Sequence, residues 1–173
     1  MNESIAEYLY NRSVRCIPVH ADTIGAPQVW LDLPVEWVPI GREVMPGAYL
    51  AWVHTPTGQE NAQWLDNIVI MVGRLTGRID TWDLMDRAFV DSRRLPSWSE
   101  HSNGYLDCSG YRSAVISGSY VGDGLRVHAT TQYLVVRGEE FDYFVQYTMT
   151  VSSDSPLRPL VELPPSLIVE PRA

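Results

Sequence analysis

The run from Phe141 to Val151 constrains this chain more than any other feature. Phe141, Tyr143, Val145, Tyr147, Met149 and Val151 alternate with Asp142, Gln146, Thr148 and Thr150. A period of two describes a strand with one core face, the other facing solvent or a covering helix; no helix can use that pattern. Two more strand-like segments precede it. Leu125–Val136 places Leu125, Val127, Ala129, Tyr133 and Val135 on one face, and Arg112–Tyr120 comes before that. Gly122-Asp123-Gly124 and Gly138-Glu139-Glu140 supply the turns between them. The last third is therefore expected to be an antiparallel meander of three strands.

The first two-thirds must supply the rest of the sheet and its cover. Ser4 and Glu7 form a capping box that opens a short helix with Ile5 and Leu9 on one face. Val14 to His20 reads as an extended piece broken at Pro18, and Gln28–Leu33 alternates as a half-buried strand. Pro34 and Pro39 bracket Trp37 in a tight connection. Tyr49–His54 is a further strand, Asn61–Asp66 a loop, and the apolar run in Asn67–Arg74 predicts a central strand covered on both faces. Asp80 caps a helix over Thr81–Arg93, with Trp82, Met85 and Phe89 as its buried stripe and Pro96 as its stop. A short helix over Pro156–Leu163 ends at Pro164-Pro165. The order of elements reads as α+β: one domain over residues 1–173, an antiparallel β-sheet flanked by helices.

Composition narrows the partners. Apolar residues are 45% of the 173, enough for a packed core, and the net charge is −8. That acidity argues against nucleic acid and anionic membrane surfaces, which need a basic footprint. Every basic side chain is arginine, a hint of a GC-rich source genome. No apolar run is long enough to span a bilayer. Met1-Asn2-Glu3-Ser4 lacks the basic and apolar regions of a signal peptide, so a cytoplasmic location is expected, or an exported one if the chain has been trimmed. Cys16 and Cys108 match no metal spacing and read as two small, buried, reduced thiols, with a disulfide between them the alternative in an oxidising compartment.

Motifs of catalysis are not found. His20, His54, His101 and His128 form no metalloprotease pattern, and His128 falls opposite the core-facing set of its strand, where an exposed or lightly packed side chain is expected. No serine sits in a nucleophile elbow, and Gly73-Arg74-Leu75-Thr76-Gly77 lacks the lysine of a phosphate loop. Asp80, Asp83 and Asp86 follow helical spacing, and an acidic first turn accounts for the first two without a metal. The expectation is a protein without enzymatic activity, cofactor or metal.

The aromatic residues carry the functional signal. Trp30, Trp37, Trp52, Trp64, Trp82 and Trp98 cannot all be fully buried, because each indole N–H needs a partner. Three or four belong in the core. Trp30 points away from the Val29/Leu31/Leu33 face, and Trp64 and Trp98 fall in loops. Trp30, Trp64, Trp98 and Tyr105 are the candidate ligand-binding residues, with Trp98 and Tyr105 gating an apolar pocket between sheet and helix.

Several segments together resemble the mycobacterial LpqN/LpqT lipoprotein family. They are SIAEYL near the start, the PVH and GAP segments, Leu33-Pro34 with Glu36-Trp37, and Ala48-Tyr49 with its strand. NIVIMVGRLTG from Asn67 to Gly77, Arg93-Arg94-Leu95-Pro96 with Trp98, Ser117-Gly118-Ser119-Tyr120 and QYTMTV complete the series. The resemblance covers nearly the whole chain. It implies a PsbP-like fold, an α/β/α sandwich with helices on both sides of the sheet, and no catalysis. It also implies a role near cell-envelope lipids or protein partners. The chain departs from the family in showing no lipobox, since Cys16 follows Val14-Arg15. Three functions stay open: a module binding a hydrophobic or lipid ligand, a protein–protein adaptor or secretion-type chaperone, and an undetected hydrolase.

Overall fold

The computed structural model describes residues 2–55, 64–162 and 166–171. In chain order the elements are α1 (Ile5–Asn11), β1 (Cys16–Pro18), β2 (Gln28–Leu31), β3 (Trp37–Pro39), β4 (Leu50–His54) and β5 (Asn67–Leu75). There follow α2 (Thr81–Met85), α3 (Ala88–Arg93), β6 (Ser99–Cys108), β7 (Tyr111–Gly122), β8 (Leu125–Arg137), β9 (Asp142–Ser152), α4 (Arg158–Glu162) and β10 (Leu167–Glu170). Asn61–Gln63 of the expected loop, and the end of the expected last helix with its proline stop, lie outside the described residues.

Among the described residues the main sheet runs β3-β4-β5-β9-β8-β7-β6, with β1 also pairing with β5, and every pairing is antiparallel. The meander is the backbone of this sheet. Its turns work as their residues require: Asp123 and Gly124 both take positive φ, 49° and 79°, the geometry of a tight hairpin whose twist matches its strands.

The alternation then sorts the core into two layers. Odd-numbered residues of β9 (Tyr143, Val145, Tyr147, Met149, Val151) join Ile68, Ile70, Val72, Leu134 and Val136 on one face. That face is covered by a separate β2–β10 ribbon, through Val29, Leu31, Leu167 and Val169, and by Val161 of α4. On the other face Tyr133, Val135, Phe144, Ala114 and Ile116 pack beneath α1, α2 and α3. The protein is thus α+β with helices on both sides of an antiparallel sheet, and the ribbon carries much of the second cover.

Several expectations are corrected. The helix over Thr81–Arg93 is broken in two. Arg87 sends its guanidinium to the Asp83 carbonyl, while its own amide donates to Leu84. The carbonyl that would continue the helical ladder is therefore taken. Leu84, Met85, Ala88 and Phe89 form the buried stripe, and Trp82, expected in it, is 57% exposed. Only Trp37 of the six tryptophans is buried; Trp30, Trp52, Trp64 and Trp98 are half-buried. In β5, Ile68, Ile70 and Val72 are buried but Met71 is 38% exposed, because the helices do not reach that end of the sheet.

The meander has four strands, not three. Ser99–Cys108, which lacks apolar alternation, is an edge strand. Trp37–Pro39 is a short strand on the opposite edge, and Leu167–Glu170 pairs with β2. His128 is buried, because the face opposite the helices is covered as well, and its ring lies 5.4 Å from that of His101. Asp142, assigned to the non-core face, is buried and clasped by Arg78 and Arg137. Both cysteines are free; Cys108 is buried and donates to the Leu167 carbonyl. Cys16 is exposed as a residue, with its sulfur resting in the space that a Cβ at Gly73 would fill.

Candidate ligand-binding site

The site begins with the segment that follows α3. Leu95 and Trp98 close the helix with backbone hydrogen bonds, Leu95 N–H to Ser92 and Trp98 N–H to Leu95. Ser97 takes φ 54°, which turns the chain into β6. That turn brings the benzo edge of the Trp98 ring against β7 at Gly118. A Cβ there would run into the indole and come within 2.7 Å of the Ser99 carbonyl. Glycine at this position is therefore what lets the tryptophan approach the sheet.

Beneath Trp98 lies a cleft of about 190 Å³, lined from the helix side by Asp91, Ser92 and Leu95 and from the sheet by Tyr120, Tyr133, Thr131 and Thr148 among others. Its apolar wall is Trp98, Leu95 and Ala129; the rest is hydroxyl and amide, with the Asp91 carboxyl at the mouth. The polar floor is internally connected. Gln146 Nε2 donates to Thr148 Oγ1 at 3.4 Å, and Thr148 Oγ1 donates to Thr131 Oγ1 at 3.2 Å. Burial pushes the Tyr133 phenol up to about 12. Partial burial also raises the Asp91 carboxyl at the mouth, with Arg94 opposing the shift.

The four sequence candidates fall in different places. Trp98 lines the cleft. Trp30 sits on the outer side of the β2–β10 ribbon, opposite Ile168. Trp64 is half-buried in the bend before β5, with its Nε1 buried and unpaired among the described residues. Tyr105, on β6, turns its hydroxyl to Asp86 Oδ1 at 2.6 Å and its ring to Phe89, centroids 5.8 Å apart. It borders a separate shallow depression with Leu106, Asp107, Gly110 and Arg112. The Arg112 guanidinium is stacked there between the Trp82 ring (3.1 Å to its centroid) and the Tyr105 ring (4.3 Å). Trp98 and Tyr105 therefore do not share one pocket.

Sequence reasoning missed the threonine and glutamine floor. Gln146, Thr148 and Thr150 fall on the non-core face of β9, the face expected to meet solvent or a covering helix, and nothing in the sequence places Asp91 and Ser92 of the helix above them. The signal lay in Gln146, Thr148 and Thr150 recurring at every second position. Elsewhere, His128 stands opposite Ser119 across the β7–β8 ladder, and Ser119 Oγ accepts from Arg126 at 3.3 Å. Among the described residues no three histidine, cysteine or carboxylate groups gather as a metal site, and no helix is long and apolar enough to cross a membrane.

Comparison with known proteins places this geometry in context. The family model Lpp-LpqN, described as "Probable lipoprotein LpqN", matches residues 1–159. The "Proline-rich 28 kDa antigen homolog" of Mycobacterium leprae is 21% identical over 152 residues, covering 88% of this chain and 54% of that protein. "Lipoprotein LpqN" of Mycobacterium tuberculosis is 26% identical over 145 residues, covering 83% of this chain and 62% of that protein. The chain spans roughly half the length of the curated relatives it matches. Among solved structures, that of Mycobacterium tuberculosis LpqN, described as "involved in cell envelope biogenesis", superposes with a TM-score of 0.83 at 20% identity, covering 98% of this chain and 99% of that one. The solution structure of cyanobacterial PsbP from Synechocystis gives a TM-score of 0.47. The relatives carry the names of antigens and lipoproteins, not of enzymes.

Proposed function

The chain belongs to the Lpp-LpqN lipoprotein family, and from that membership we propose that it is a non-catalytic binding module for an amphipathic, lipid-like ligand in cell-envelope processes. The observation that carries this reading is the cleft under Trp98, where an indole wall faces a hydroxyl and amide floor. A ligand with one apolar and one polar part matches both surfaces. Small-molecule pockets commonly enclose about 300–1,000 Å³. At about 190 Å³ this cleft takes one portion of such a ligand, with the remainder passing out beside Leu95 and Tyr120. Domain 1–173 acts as one unit in this scheme, and Trp30, Trp64 and Tyr105 lie outside the contact.

Calorimetric titration with a single-chain lysophospholipid below its micelle concentration tests the reading. Saturable binding is expected in the parent protein, weakened about tenfold or more in Trp98→Ala through the lost aromatic wall. Thermal melting should remain cooperative in both. Binding that ignores Trp98→Ala and Thr148→Val alike would remove the cleft from the account.

A second reading has its own observation. On the helix-bearing face, β3, β4 and β5 extend beyond the helices and leave Val38 and Met71 exposed beside Val53 and Val69. A protein adaptor would use this surface. Stoichiometric capture of a partner that Met71→Lys abolishes is its expected signature.

A further inference from the structure

Strand β6 ends the main sheet, and in its second half the Asp107 charge is the one device of the kind that usually protects an edge. The first half is disrupted by a bulge between Glu100 and Ser102. From Asn103 to Asp107 the register with β7 is unbroken, there is no proline or basic residue, and Leu106 (58%) and Tyr105 (40%) are exposed. The hairpin turn tells which backbone groups are free. Ser109 and Gly110 both have positive φ (53° and 81°), giving a two-residue turn that closes on the Cys108–Tyr111 pair. Counting back from that hydrogen-bonded pair, Leu106 and Gly104 direct their amides and carbonyls to β7. Asn103, Tyr105 and Asp107 direct theirs outward.

We propose that two copies of this chain pair through β6, antiparallel, about a two-fold axis at Tyr105. The sequence is self-complementary in that register. Tyr105 meets Tyr105 of the second copy, and each exchanges both backbone hydrogen bonds. Asn103 meets Asp107, so an amide faces the single charge in the segment and no carboxylate meets another. Leu106 meets Gly104, where a Cβ would touch nothing within 4 Å, so the exposed leucine of each copy fills open space beside the glycine of the other. A net charge of −8 on each chain disfavours most other self-contacts, and this register avoids the penalty locally. The contact is small on the scale of stable interfaces, so the dimer should be weak and concentration-dependent.

Sedimentation velocity over a concentration series of the full chain tests the proposal. A reversible dimer is expected, with its dissociation constant raised about tenfold or more by Leu106→Lys, which places a charge in the paired edge. Val35→Lys, at an exposed position just before β3 on the opposite edge of the sheet, should leave it unchanged. Register is tested separately by mixing a Gly104→Cys chain with a Leu106→Cys chain, both carrying Cys16→Ser. These positions face each other in a non-hydrogen-bonded pair, the spacing a disulfide accepts, so oxidation should cross-link the mixture and neither chain alone. A monomer at every concentration overturns the proposal. So does a dimer that tolerates Leu106→Lys and gives no mixed cross-link.

Discussion

Asp142 shows how a single side chain can hold the sheet to its helical cover. Its buried carboxylate accepts from Arg78 and Arg137. Arg137 continues to the Ile79 carbonyl at 2.9 Å and Thr81 Oγ1 at 2.7 Å, and Arg78 to the carbonyls of Gly138 and Glu139. The β8–β9 turn is thereby clasped to the start of α2. Asp142→Asn keeps the shape and removes the charge, leaving two guanidiniums short of a partner. A loss of about 2–4 kcal/mol is expected, read as a lower urea midpoint at unchanged slope. Gly118→Ala probes the other critical contact. The new methyl group must displace Trp98 or the Ser99 carbonyl, which should cost about 1–3 kcal/mol and alter tryptophan fluorescence. Sequence flagged Trp98 as a candidate, but not the glycine beneath it, because a close approach between distant segments leaves no local pattern.

Among elements, legibility followed burial. Strands β7, β8 and β9 were readable because each alternates and tight turns separate them. Strand β6 was not, because an edge strand with exposed polar side chains is under no pressure to alternate. Strand β10 was hidden by the prolines before it, and β3 by its shortness. The α2–α3 break was invisible because Arg87, whose guanidinium takes the Asp83 carbonyl, is also held by Glu3, a residue 84 positions away and just ahead of α1, Nε to Oε2 at 2.7 Å. The same network pins α1 to α3 through Glu7 and Arg94. Glu7 is held at about 2, chiefly by the Ser4 backbone N–H and then by Arg94, and Glu100 at about 2, chiefly by Arg93. Both lie below the ordinary 4.5, so the unfolded chain takes up these protons first as pH falls. Their stabilising contribution is complete above about pH 4.5 and lost as pH drops towards 2. Acid titration followed by amide exchange should therefore show α1 loosening in that window, and Glu7→Gln should flatten the response.

At the scale of the whole molecule, the sequence supported the α+β class and the family resemblance, and the family match and the superposition with LpqN agree with both. The site was legible only in part. Its aromatic wall stood out by residue type, while its polar floor emerged only once β8 and β9 were paired and α3 laid over them. The proposed function rests on this cleft taking an amphipathic ligand. Native mass spectrometry of the chain expressed in a mycobacterial host tests it most directly. A lipid-mass adduct is expected on the parent protein, largely lost from Trp98→Ala at unchanged fold. An adduct-free parent protein, or an equal adduct on Trp98→Ala, would contradict it.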